Sequence, residues 1–171
     1  LENSENSKAL DFFKSSKVLI DKHDPYLRRY IFSLVLEKKI PHAINILRSN
    51  KKKNNSKFFD AYLILILDDL KKGNFDKALK TSKKAINFSN NKFESAILKS
   101  LKQYIFVFKE KKILNNEKNL GELSIITETF QRCYLDDERT DIYFTNLFSS
   151  ASTDYTRYIF FYLSYLIENK N

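Results

Sequence analysis

Two histidines and one cysteine are the side chains of this 171-residue chain best suited to metal binding or nucleophilic chemistry. A zinc site of the His-Glu-x-x-His type needs ligands at a short, fixed spacing. His23 and His42 are instead separated by most of a predicted helix. A nucleophilic Cys133 would need a base partner, and a free cysteine otherwise behaves as a small hydrophobic residue. We interpret the histidines as surface or structural residues and Cys133 as a buried, unreactive thiol.

Two clusters of carboxylates are the remaining candidates for chemistry. Asp68-Asp69 follows an apolar segment, and Asp136-Asp137-Glu138 falls in a predicted loop. We interpret the first as a solvated helix end and the second as a solvated loop. Phosphate-binding loops need clustered glycines, and the chain holds only 2 glycines in all. The sequence therefore predicts a protein that is not an enzyme, with no catalytic residue, no metal and no cofactor.

The composition indicates the kind of fold that positions these side chains. The chain has 43% hydrophobic residues, 30% charged residues, 2 Gly and 2 Pro. β-Sandwiches and barrels need many turns rich in Gly and Pro, so this composition favours helices. Apolar residues at helical spacing predict about eight or nine of them. No apolar run approaches the roughly 20 residues of a membrane-spanning helix, so we predict no transmembrane segment.

Three similar segments recur at a nearly fixed interval. Ala9-Leu10, Ala43-Ile44 and Ala78-Leu79 begin them, at intervals of 34 and 35 residues. The best copy, from Phe58 to about Asn90, reads as a helix, a turn at Gly73-Asn74 and a second helix. A period in this range is typical of helical repeat proteins.

The segment from Lys72 through Leu79, Lys-Gly-Asn-Phe-Asp-Lys-Ala-Leu, followed by Ala85, resembles the turn and second helix of a tetratricopeptide repeat. Lys38 to Ile44 resembles the same turn, with Lys38 where the family prefers Gly. The resemblance is to degenerate bacterial repeats. It implies an all-α, right-handed α-solenoid of antiparallel helix pairs. It places a partial first unit and units near 24–57 and 58–92 within 1–92, and residues 93–171 as divergent repeats or a helical cap of the same continuous domain.

The resemblance implies a protein–protein interaction or scaffolding module that binds another protein or a peptide. Its first helices would line a concave surface, and the matching positions are Arg28 and Phe32 in one unit and Leu63 and Leu67 in the next. Each of the four could instead belong to the core. Family members that bind carboxylate termini use a Lys and an Asn four residues apart, and Phe32 and Leu67 occupy the Asn positions. An apolar segment is therefore the expected ligand.

Positive charge is concentrated in the first part of the chain. Residues 1–118 hold 26 of the 30 Lys and Arg but 13 of the 21 Asp and Glu. Lysines cluster at 51–53 and on one helix face at Lys77, Lys80, Lys83 and Lys84. The alternative function is therefore a basic face that binds nucleic acid or an anionic surface. Nucleic acid is disfavoured because only 6 of the 30 cations are Arg and no known binding motif is present. A helical regulatory domain of a larger protein is a further alternative.

The last predicted helix, from Asp154 to Glu168, is apolar on nearly every side. Such a helix must be covered on all sides. We expect either that the chain was cut from a longer repeat array or that this helix pairs with a partner. Self-association through the helix is one form of such pairing. The chain starts at Leu1 and holds no Met, so we expect a fragment of a longer bacterial protein. The compartment stays open between the cytoplasm and a bacterial periplasm or cell envelope.

Overall fold

The structure is a computed structural model that describes residues 2–50, 54–114, 122–149 and 154–169. Within these ranges all regular structure is helical and no strand occurs, which confirms the all-α prediction for them. The nine α-helices described are α1 (Glu2–Ser15), α2 (Asp24–Leu36), α3 (Ile40–Ser49), α4 (Phe59–Lys71), α5 (Phe75–Ala85), α6 (Lys92–Glu110), α7 (Glu122–Leu135), α8 (Thr140–Phe148) and α9 (Ile159–Asn169). Short 3-10 helices cover Lys17–Asp21, Asn54–Ser56, Ile86–Phe88 and Thr156–Tyr158.

The chain divides into two compact units, Leu1–Ser95 and Ala96–Asn171. The first holds 20 Lys and Arg against 11 Asp and Glu, whereas the second holds 10 of each. The entire net charge of +9 therefore belongs to the first unit. No described helix is both long enough and apolar enough to span a bilayer.

The core of the first unit lies between α1, α2, α3 and α4. It buries large side chains of α2, and Leu10 and Leu47 pack beside them. Ala43 on α3 and Ala78 on α5 are both fully buried. Small side chains at these points let a second helix lie close to its neighbour. Ala9 departs from this pattern, because it is exposed while Leu10 is buried.

The turns of the two helical hairpins, α2–α3 and α4–α5, have the same backbone geometry. Lys38 has a φ of +57° and Gly73 has a φ of +70°, and the two residues lie 35 positions apart. In each turn the amide of the next residue donates to the carbonyl five positions earlier, over 2.8 Å. This is the Schellman arrangement, which favours glycine at its left-handed position. Lys38 thus occupies the position equivalent to Gly73, although a lysine is less favourable than a glycine in this left-handed conformation.

Exchanging these turn residues is expected to change stability in opposite directions. Gly73→Ala should destabilise the protein by about 1 kcal/mol, because a side chain is strained in the left-handed region. A Cβ at Gly73 would meet no atom within 4 Å, so backbone strain is the only cost. Lys38→Gly should stabilise it by up to about 1 kcal/mol. Urea unfolding followed by circular dichroism measures both. A stabilising Gly73→Ala would contradict the turn assignment.

The second unit contains a third turn of the same kind. Asp136, between α7 and α8, has a φ of +53°, and the amide of Asp137 donates to the carbonyl of Arg132 over 3.1 Å. Two more residues separate this turn from α8 than separate the equivalent turns from their second helices. The second unit thus reuses the turn of the first but with a longer connection.

Aromatic rings form one buried cluster of the second unit. Phe144 on α8 is fully buried and contacts the rings of Phe130, Phe148 and Tyr162. A separate polar contact joins α6 to α7, where the Ser100 and Thr127 hydroxyls lie 2.8 Å apart. The described helices of this unit are therefore joined both by ring packing and by buried hydrogen bonds.

Candidate functional site

An open apolar groove of about 810 Å³ lies between α1, α2 and α4 of the first unit. Phe13 from α1, Phe32 and Leu36 from α2, and Phe58 and Ile64 from the α4 segment line it. Phe32 leaves 63% of its surface exposed, and Leu36 is also exposed. Large apolar side chains that water still contacts in a concave groove are suited to binding apolar groups.

An ion pair crosses the rim of this groove. A guanidinium nitrogen of Arg28 on α2 lies 2.8 Å from Oδ2 of Asp60 on α4, and Arg28 also lies over the Phe58 ring at 5.9 Å. Both charged side chains are more than half exposed, so the pair contributes little to stability. Its effect is to neutralise Asp60 at the rim. Neighbouring Arg29, which also lines the groove, forms no salt bridge with any residue that the structure describes.

The four residues predicted for partner contact fall partly in this groove. Arg28 and Phe32 line it directly. Leu63 is half-buried, and Leu67 is 54% exposed, but neither lines the groove. Leu67 lies three positions after Ile64 on α4, so it extends the same helix face by one turn. Sequence reasoning missed Phe58 and Asp60, because their roles depend on contacts with α2 that no short-range spacing indicates.

A second groove, of about 510 Å³, lies between α3, α4 and α5. Three of the four lysines predicted as a basic face, Lys77, Lys80 and Lys84, line it. Lys83 is exposed but is not part of the lining. The lysine run 51–53 lies outside the described residues. Two cations that the sequence pattern did not connect to the lysines also line the groove, namely Arg48 and Lys57. We call this the basic groove.

The interpretation of Asp68-Asp69 as a solvated helix end is wrong. Asp69 is only 1% exposed, and its Oδ1 lies 2.8 Å from Arg48 of α3 and 3.1 Å from Lys77 of α5. Arg48 also contacts Asp68 at 2.5 Å, and Lys72 lies 2.8 Å from that carboxylate. Acidic side chains at the C-terminal end of a helix are unfavourable without cations nearby. Here cations from α3, α5 and the turn supply that compensation, so the cluster ties three helices together.

The second acidic cluster is only partly a solvated loop. Asp136 and Glu138 are exposed as predicted, but Asp137 is half-buried. Its Oδ1 lies 3.1 Å from the buried Arg132 and 3.3 Å from Arg139. Burial raises the pKa of the Asp137 carboxyl, but hydrogen bonds from Arg139 and Arg132 outweigh it, so the pKa lies below 3.8. This carboxylate therefore has a structural role.

The two histidines and the cysteine, which are the side chains best suited to metal binding or nucleophilic chemistry, do not form a common site among the described residues. His23 is exposed just before α2, and the exposed His42 lies 3.4 Å from the Tyr30 hydroxyl. Cys133 is half-buried, and burial together with the negative charges of Glu168 and Asp136 raises the pKa of its thiol. Over residues 2–50, 54–114, 122–149 and 154–169, no three His, Cys, Asp or Glu side chains come together as a metal site.

The apolar helix predicted near the end of the chain is α9, preceded by a 3-10 turn. Ile159, Phe160, Phe161, Leu163 and Ile167 leave large parts of their side chains exposed, whereas Tyr162 packs on Phe144. One face of α9 thus packs against the core of its unit, and the other is in contact with solvent. Self-association through this face stays a prediction.

Comparison with known proteins adds no relative to this picture, because no family model, curated protein or solved structure matches the chain.

Proposed function

We propose that the first unit is a non-enzymatic protein-interaction module of the tetratricopeptide-repeat type, which binds an apolar segment of another protein in the groove between α1, α2 and α4. The observation that carries the proposal is the exposure of Phe32 and Leu36 inside a concave surface. In a soluble monomer such side chains are favourable only when something covers them.

The repeat architecture is part of the proposal. Its support is the pair of equivalent turns at Lys38 and Gly73, together with the buried Ala43 and Ala78 that follow them at the same distance. In a right-handed solenoid built from such hairpins, α2 and α4 would be the first helices of consecutive units. Their neighbouring faces would then form a continuous surface, of which the groove at Phe32 is one end and Leu67 is the other.

The chemistry of the lining defines the partner. Its apolar side chains suit the apolar stripe of an amphipathic helix, which spaces large residues at i, i+3, i+4 and i+7. Arg29 at the rim is a cation without a salt bridge among the described residues, and the whole unit is positive. The proposed ligand is therefore an amphipathic helix with an acidic residue beside its apolar stripe.

A single groove substitution tests the proposal. Phe32→Asp should weaken binding of a labelled amphipathic peptide, with a Leu stripe and flanking Glu, by about thirtyfold or more, as expected for a central apolar contact. Leu67→Asp should also weaken capture, because Leu67 extends the apolar face of α4 beyond the groove by one turn. The fold should survive this change, because Leu67 is 54% exposed. Fluorescence anisotropy measures the affinity, and circular dichroism checks the fold.

Phe93→Asp is the matched control, because Phe93 is 72% exposed, belongs to the first unit and does not line the groove. This variant should bind as the unmodified protein does. Equal losses from Phe32→Asp and Phe93→Asp would exclude the groove as the site. Unfolding by Leu67→Asp would show that Leu67 is a core residue.

A further inference from the structure

The basic groove carries more positive charge than its own contacts use. Five cations line it, Arg48, Lys57, Lys77, Lys80 and Lys84, against one carboxylate, Asp69. Arg48 and Lys77 are engaged by Asp69, at 2.8 and 3.1 Å. The carboxylate of Asp69 thus compensates positive charge at Arg48 and Lys77. The uncompensated positive charge of the groove lies on Lys57, Lys80 and Lys84.

Lys57, Lys80 and Lys84 have no carboxylate partner in the part of the chain that the structure describes. Lys57 donates to the neutral side-chain oxygen of Asn54 over 2.8 Å, which leaves its charge uncompensated. Like charges gathered in one groove repel each other, and walls of low dielectric constant strengthen their combined field. An anion that enters the groove would relieve that repulsion at all three lysines.

The other lining residues favour a polypeptide over a nucleic acid. Tyr62 and Phe88 stack on each other at 5.1 Å and 26°, so each ring already uses one face within the protein. Both are partly buried, unlike the open aromatic faces on which bases stack. The one Arg in the lining is committed to Asp68 and Asp69, so no free guanidinium remains for bidentate contact with phosphate.

The spacing of the lysines matches carboxylates on a peptide. Lys80 and Lys84 lie one turn apart on the same face of α5, about 6 Å along its axis at a rise of about 1.5 Å per residue. Acidic side chains three or four residues apart on a helix lie about 5–6 Å from one another, which is a similar interval. Leu47 and Leu65 complete the lining with apolar surface.

We propose that the basic groove is a second binding site, which takes an acidic segment of a partner protein that carries two or three carboxylates beside aliphatic residues. This site is separate from the apolar groove of α1, α2 and α4, and its ligand is recognised by charge, not by apolar area. Binding therefore weakens steeply as salt is added.

The probe is a fluorescein-labelled helical peptide with Glu residues three and four positions apart on one face and Leu beside them. Its binding is measured by fluorescence anisotropy at low and at physiological ionic strength. The double variant Lys80→Gln/Lys84→Gln should lower its affinity about tenfold at low salt, because two charge contacts of the groove lining are lost. The double variant Lys71→Gln/Lys83→Gln is the control. It removes the same net charge from exposed positions outside the groove, and its affinity should fall less than about threefold.

Four comparisons decide the result. The same peptide with Gln in place of Glu should not bind, and its binding would overturn a carboxylate site. Equal losses in the two double variants would show diffuse attraction to the unit, and tighter binding of oligothymidylate would assign the groove to nucleic acid. Phe32→Asp should leave binding of this peptide unchanged. That readout separates failure of the acidic site from failure of the apolar groove.

Discussion

Replacing Phe144 by alanine is expected to destabilise the second unit by about 3–5 kcal/mol, which is the usual cost of removing a fully buried phenyl ring. Phe144 is completely buried, and its ring centroid lies 4.8 Å from that of Tyr162, 5.9 Å from that of Phe130 and 6.0 Å from that of Phe148. The substitution removes burial of the ring and three aromatic contacts at once, and it leaves a cavity that surrounding rings cannot fill without leaving their rotamers.

The size of this effect follows from the central position of Phe144 in its cluster. Phe144, Leu147 and Tyr155 form one buried apolar cluster of the second unit, with partly buried side chains packed around them. A domain is stable by only about 5–15 kcal/mol, so the loss of this ring is a large fraction of that total. Loss of Phe144 should loosen the packing of α7, α8 and α9 together.

Amide hydrogen exchange measures the effect, because it reports protection in peptides from 122–149 directly. Ile142→Ala is the control, since Ile142 lies on the same helix and is largely exposed. It should change stability by less than about 0.5 kcal/mol. If Phe144→Ala and Ile142→Ala cost the same, the described aromatic cluster is not the core of this unit.

The helices and their turns could be predicted from the sequence, because both depend on interactions between residues that are a few positions apart. The segments 58–72 and 75–88 correspond to α4 and to α5 with its following 3-10 turn. The resemblance to the repeat family places Lys38 at the position of Gly73, and both residues have a positive φ. Apolar periodicity and the residue types that end a helix are patterns of a few neighbouring positions, so they can be recognised without the tertiary structure.

The two grooves depend on contacts that no local pattern contains. Arg28 and Asp60 are 32 residues apart, and Arg48 and Asp69 are 21 apart. A carboxylate at a helix end has the same local sequence whether water or a buried guanidinium surrounds it, so Asp69 was interpreted as solvated. The lysines of α5 were identified from their helical spacing, but the groove exists only because Arg48 and Lys57 are brought opposite to them.

Removing Arg48 is expected to be nearly as damaging as removing a core ring. Arg48→Met should destabilise the first unit by about 3 kcal/mol, because it leaves the carboxylates of Asp68 and Asp69 buried with fewer cations. Arg48 itself is 30% exposed, and Lys77 still faces Asp69, which places the cost at the lower end of the range for broken buried pairs. The matched control is Arg28→Met. It breaks a bridge of the same 2.8 Å length at 59% exposure and should cost less than about 1 kcal/mol.

The pH dependence of the Arg48→Met effect provides a second, independent check. Burial raises the pKa of the Asp68 carboxyl, but hydrogen bonds from Lys72 and Arg48 outweigh it and hold the pKa below 3.8. A carboxyl whose pKa is lowered by folding stabilises the folded state fully above its unfolded pKa, and this contribution is lost as the pH falls through the folded pKa. Without Arg48 the pKa of Asp68 should move upward. The difference in unfolding free energy between the two proteins should therefore narrow as the pH falls from the raised pKa of the variant through the lower pKa of the unmodified protein. Urea unfolding at neutral and at acidic pH measures this difference in unfolding free energy.

A difference that stays constant over this pH range would mean that Arg48 stabilises the unit through its aliphatic packing and not through its charge, because the packing contribution does not depend on protonation.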